Sequence, residues 1–185
     1  PEESQGYIYL DFLLSISEFM KDLELPRNMF KPKVIEREKE VFMEDETCLV
    51  VKYLRENPDI YNLGILLVFE TGMRVGELAA LSPYDIGDCV IKIRRTEVKY
   101  RDENGKWVAT VKEHPKTSAG CRDLIISPSA LKTIQSAMAL NPNGTFLFEH
   151  NGKRIRGNTF NKRLSSICKK LGIPHRTMHK IRKTY

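Results

Sequence analysis

The chain has 185 residues, 41% of them hydrophobic and 29% charged, which is enough for one globular domain with an appendage and unlike a fibrous or low-complexity sequence. No apolar run approaches the ~20 residues of a membrane span and no secretory leader is visible, so a cytoplasmic protein with no membrane partner is expected. The four cysteines, Cys48, Cys89, Cys121 and Cys168, are scattered singly without a CxxC pair, which argues against a disulfide framework or a zinc knuckle.

In chain order, residues 7–23 carry an apolar stripe at helical spacing (Ile8, Phe12, Ile16, Phe19, Met20, Leu23) and are expected to be the last helix of a preceding domain. Two prolines, Pro26 and Pro32, and the charged stretch 34–40 then read as a linker, with a boundary near residue 40. A helix is expected from Met43 to Asn57, with Glu44, Asp45 and Glu46 in its first turn, and Pro58 ends it. Residues 60–69 are apolar almost all round and predict a buried helix, broken by Thr71-Gly72. A second short helix follows, with Arg74 at its mouth, Glu77 one turn on, and Leu78 and Leu81 on its inner face. An arginine at such a junction needs an anion, and Glu77 alone is one candidate.

Beyond the turn 82–85, residues 89–100, 107–112 and 121–127 read as three strands, the first two joined by the turn Asp102-Glu103-Asn104-Gly105. Lys116 is expected on a Gly-ended turn between the last two. Arg122 follows that turn as either a phosphate contact or an ordinary strand-edge charge. Ser127-Pro128 starts a helix running to about Leu140, residues 145–148 suggest a short strand, and residues 159–171 form a basic amphipathic helix closed by Gly172. Pro174 precedes a last helical segment carrying His175, Arg176, His179, Lys180, Arg182 and Lys183.

The net charge of +6 is unevenly placed. Residues 151–185 hold eleven Lys and Arg and no acid, which leaves 30 − 11 = 19 basic against 24 acidic groups in residues 1–150. A basic face of that density attracts polyanions by neutralising phosphates and releasing counterions, and nucleic acid is the usual partner. His175 and His179 have the spacing of a zinc pair, but no Glu lies between them and no third ligand is evident, so no metal site is expected.

Three motifs in order, Thr71-Gly72-Met73-Arg74-Val75-Gly76-Glu77-Leu78, Pro115-Lys116-Thr117 and His179-Lys180-Ile181-Arg182, resemble the tyrosine recombinase (phage integrase) family. With Phe160-Asn161, they are most similar to integrases of phages and conjugative transposons. The resemblance implies an α+β fold, a mostly helical catalytic domain with a small antiparallel three-stranded sheet carrying Lys116. It implies residues 1–31 as the end of a core-binding domain, 32–42 as linker, and 43–185 as a catalytic domain truncated at its C-terminus.

The implied activity is site-specific recombination, in which a tyrosine attacks a DNA phosphodiester and forms a 3′-phosphotyrosyl intermediate without metal, ATP or other cofactor. Protein cations must then meet the charge that develops on the phosphate, and guanidiniums suit that task. By resemblance these are Arg74 and Arg182, with His179 on the phosphate or the tyrosine proton, Lys116 as proton donor to the departing oxygen, and Glu77 holding Arg74 or the Arg182 helix in place. Lys153, Arg154, Arg156, Lys162 and Arg163 are expected on the DNA backbone.

The implied partner is double-stranded DNA at a specific attachment site, bound by a homotetramer of the full-length protein. The family's nucleophilic tyrosine lies some tens of residues beyond its His-x-x-Arg box. Tyr185, three residues after Arg182, comes too soon, so the chain is expected to lack the nucleophile. The alternatives are a non-catalytic DNA-binding relative and an enzyme of type IB topoisomerase kind.

Overall fold

The chain divides into two units, Pro1–Lys39 and Glu40–Tyr185. The structure, a computed structural model, describes residues 41–113 and 121–184. The expected helix over 7–23, most of the linker, Lys116 and Tyr185 lie outside the described residues.

The second unit is built on one buried helix. Helix α1 (Glu44–Glu56) buries Val50 and Leu54, and its Glu46 carboxylate accepts the Met43 N–H at 3.0 Å. Helix α2 (Ile60–Thr71) is capped by Asp59, which accepts from the N–H groups of Tyr61 and Asn62 at 2.9 and 2.7 Å. Nine of its twelve residues are buried, so it needs neighbours all round. Helices α1, α4 (Pro128–Leu140), α5 (Gly157–Lys170) and α6 (Met178–Thr184) supply them. Phe42, Leu54, Met73, Leu78, Ile134, Phe148 and Phe160 close the core around it.

Helix α3 (Val75–Ala79) lies against strand β2 (Thr96–Arg101). A Cβ on Gly76 would stand 2.8 Å from Thr96 Oγ1 and 3.0 Å from the Glu97 carbonyl oxygen, so only glycine lets helix and strand approach this closely.

The expected three-stranded sheet is absent among the described residues, because residues 89–100 do not form one strand. Strand β1 (Val90–Ile93) pairs antiparallel with β4 (Arg122–Ile125), and β2 pairs with β3 (Trp107–Lys112). The break falls at Arg94-Arg95, where the side chains turn to different partners. Arg94 binds Asp123 at 2.7 Å, and Arg95 donates one nitrogen, Nη2, to both Asp85 oxygens at 2.7 and 2.6 Å. The result is two separate two-stranded sheets. Thr96 faces Lys112 and Ile93 faces Arg122.

Two further expectations are corrected. Residues 145–148 are irregular, because the Leu147 N–H donates to Leu81 O (2.8 Å) and the Phe146 N–H to the Glu149 carboxylate (2.8 Å). The hairpin instead pairs β5 (Glu149–His150) with β6 (Lys153–Arg154) across Asn151-Gly152. The last helix starts at Met178, so His175 and Arg176 precede it. Asn161 Oδ1 accepts the Met178 N–H at 3.0 Å, while Arg176 donates to Val41 O at 3.1 Å. Among the described residues no helix is long and apolar enough to cross a membrane.

Candidate active site

Gly72 ends α2 in the left-handed region (φ 62°), and its N–H donates to Val68 O at 2.9 Å. The chain then turns sharply. Met73 is fully buried and anchors the turn, which leaves Arg74 as the residue that caps α3. The position is thus fixed by a buried neighbour on one side and a helix start on the other.

Glu77, 3% exposed, reaches back from the first turn of α3. Its Oε2 accepts the Arg74 backbone N–H at 2.9 Å, and its Oε1 accepts Arg74 Nη1 at 2.8 Å. From the start of β4, Arg122 adds Nη1 to Oε1 and Nη2 to Oε2, each at 2.8 Å. The carboxylate therefore receives four N–H groups from two arginines, one of them in the bidentate fork. Burial alone would raise the Glu77 pKa, but the hydrogen bonds from Arg122 and Arg74 outweigh it and hold the carboxyl below its usual range. The same contact pushes Arg122 above its ordinary value.

Arg182 arrives from α6, whose Met178 and Ile181 are buried, and its Nη1 donates to the Gly72 carbonyl oxygen at 2.5 Å. Its pKa is lowered by burial and then by the charges of Arg74 and Arg122. Two guanidiniums thus bind one buried carboxylate, and a third, Arg182, stands close enough to feel the charges of all three groups. The excess of positive charge makes the spot an anion site, and Arg74, 54% exposed, presents it to solvent. His179, exposed, stands one turn before Arg182 on α6.

The five expected backbone-binding cations divide. Lys153, Arg156 and Lys162 are exposed. Arg154 is not free, because its Nη1 donates to the nearly buried Glu97 at 2.6 Å and to Ala79 O at 3.1 Å, and Glu97 also accepts the Gly157 N–H at 3.1 Å. Arg163 is likewise held, donating Nε to Asn62 at 2.8 Å and Nη2 to Asp59, the cap of α2. A groove of about 520 Å³ between the β2–β3 hairpin and the start of α5 is lined by Lys99, Trp107, Arg156 and Thr159, among others. Among the described residues no group of three or more His, Cys, Asp or Glu is placed to hold a metal ion.

Sequence reasoning left Arg122 open, and the structure assigns it to Glu77. Its place at the head of a strand gave no sign of that partner, 45 positions away in the chain.

A family model described as the phage integrase family matches residues 41–185. No curated protein matches the chain. Among solved structures, the fold is similar to the Tn1549 transposon integrase in complex with transposon right-end DNA (TM-score 0.68, 19% identity, 83% of this chain and 54% of that one). It is also similar to XerA recombinase (0.60, 24%, 88% and 53%) and to lambda integrase bound to DNA (0.51, 18%, 77% and 48%). The chain spans about half the length of each of these solved chains, and at such identities the likeness is one of fold.

Proposed function

The chain belongs to the phage integrase family, and from that premise we propose that the protein it forms part of cuts and rejoins double-stranded DNA at a specific site through a 3′-phosphotyrosyl intermediate. The observation that carries this reading is that Arg74 and Arg182, far apart in sequence, both stand at the Gly72 turn, near enough for the Arg74 charge to lower the Arg182 pKa. A phosphodiester has one negative charge in the ground state and gathers more as the attacking oxygen arrives. Two rigid, permanently charged forks stabilise that state without reorganising, and removing one should cost on the order of 10²-fold or more in rate.

In this reading His179 contacts a phosphate oxygen or the tyrosine proton, Lys116 protonates the leaving 5′ oxygen, and Glu77 holds Arg74. Residues 1–31 end a core-binding domain, 32–42 link, and 43–185 carry the chemistry without the attacking tyrosine, which we place outside this chain. Lys153, Arg156 and Lys162 neutralise backbone phosphates, supported by their exposure and by the absence of acids from residue 151 onward. The assembly on DNA is a homotetramer, and the chemistry requires no metal or other cofactor.

The test uses the intact protein with a pool of singly nicked duplexes, from which a covalent adduct should be trapped. Digestion of that adduct should yield a tyrosine peptide joined to a DNA 3′ end. An adduct through another residue, or none at protein concentrations that saturate the DNA, would contradict the proposal.

A further inference from the structure

The function just proposed requires Arg74 to face its phosphate, yet the group nearest to Arg74 is a buried carboxylate able to capture it entirely. A carboxylate and a guanidinium left to themselves tend to form two parallel hydrogen bonds. Here they form one. Arg74 gives only Nη1 to Glu77, and its Nε and Nη2 have no hydrogen bond among the described residues. The reason lies on the other side of Glu77. Arg122 spans both carboxylate oxygens at 2.8 Å, and the Arg74 backbone N–H takes a further position on Oε2.

We propose that Arg122 is a positioning residue for Arg74: by occupying both oxygens of Glu77 from strand β4, it limits Arg74 to a single Nη1 contact and keeps the rest of that guanidinium turned outward, where a DNA phosphate enters. The exposures agree with this division, since the Arg122 side chain is 24% exposed and that of Arg74 54%. Arg122 is the structural partner of the carboxylate, and Arg74 the presented one. The arrangement also ties α3 to strand β4 through the Glu77 carboxylate. The inference rests on the proposed function only for the identity of the anion. The competition for Glu77 is independent of it.

The experiment reads Arg74 directly. Hydrogen exchange at the Arg74 Nε–Hε group is followed by ¹⁵N-edited NMR in this chain, together with affinity for a short mixed-sequence DNA duplex. In Arg122→Gln, Glu77 should capture Arg74, so Arg74 exchange slows. Duplex affinity should fall about tenfold, close to the loss in Arg74→Ala, and the double variant should lose little more. Adding Glu77→Gln to Arg122→Gln should return Arg74 exchange toward the native rate. Arg122→Lys keeps the charge without the fork and should lie between; it keeps the test open if Arg122→Gln does not fold.

Unchanged Arg74 exchange in folded Arg122→Gln, or affinity losses that add fully with Arg74→Ala, would overturn the inference and make Arg122 an independent charge. Slowed exchange with duplex affinity unaffected in both Arg122→Gln and Arg74→Ala would support the positioning role and count instead against the DNA reading.

Discussion

Arg182 and Gly72 meet through one hydrogen bond, Nη1 to the carbonyl oxygen at 2.5 Å, across 110 positions of sequence. The contact depends on a backbone feature, because only the left-handed turn at Gly72 ends α2 there and leads the chain directly into Arg74. A carbonyl oxygen is also a suitable holder for an active-site arginine. It orients the guanidinium without neutralising it, so the full charge remains for an incoming anion.

Substituting Gly72 separates the turn from the charge. Gly72→Ala places a Cβ at φ 62° and should cost about 1–2 kcal/mol of stability. Gly72→Asn, which tolerates that region better, should cost less. Urea denaturation of both variants checks the order.

Glu77 makes stability pH-dependent in a definite direction. Its folded pKa is depressed, so its contribution is present in full above the unfolded value, about 4.3, and is lost as pH falls through the lower folded value. The native chain should therefore lose stability on acidification below about pH 4.3. Glu77→Gln should show a shallower acid limb. At neutral pH it should be less stable by about 3 kcal/mol, because two arginines lose their carboxylate. Thermal melts from pH 7 to pH 3 measure both.

The basic residues of the C-terminal stretch should fall into two classes. Alanine at Lys153, Arg156 or Lys162 should leave thermal stability within about 0.5 kcal/mol and lower the salt slope of DNA binding by about 0.9 each. Alanine at Arg154 leaves Glu97, 3% exposed in its side chain, without its cation, and should destabilise the fold by about 3 kcal/mol. Binding isotherms over a salt series, paired with melts, separate the two.

Much of this site was legible in sequence because its parts are local. The apolar run 60–69, the break at Thr71-Gly72 and the Arg74-Glu77 spacing all act within two turns of chain, where periodicity and capping rules apply. The Ser127-Pro128 start of α4 was legible for the same reason. What the sequence concealed is non-local. One strand was read over 89–100, since Arg94-Arg95 breaks it only by reaching Asp123 and Asp85.

The acids that hold Arg154 and Arg163, Glu97 and Asp59, lie 57 and 104 positions away, so the sequence shows only the basic charges around them. The Asn151-Gly152 hairpin was a different kind of miss. Its turn signal is among the strongest available, but the flanking strands are only two residues long and carry no alternation to find.

The central claim is that Arg74 and Arg182 together stabilise charge on a DNA phosphate under attack. It is tested most directly by the single-turnover rate of covalent adduct formation on a nicked duplex, with the intact protein carrying Arg182→Ala or Arg182→Lys. The account predicts a loss of about 10²-fold or more for alanine and an incomplete recovery for lysine, which restores the charge without the fork, in variants that stay folded and at protein concentrations that saturate the DNA. Adduct formation at the native rate in Arg182→Ala would contradict it.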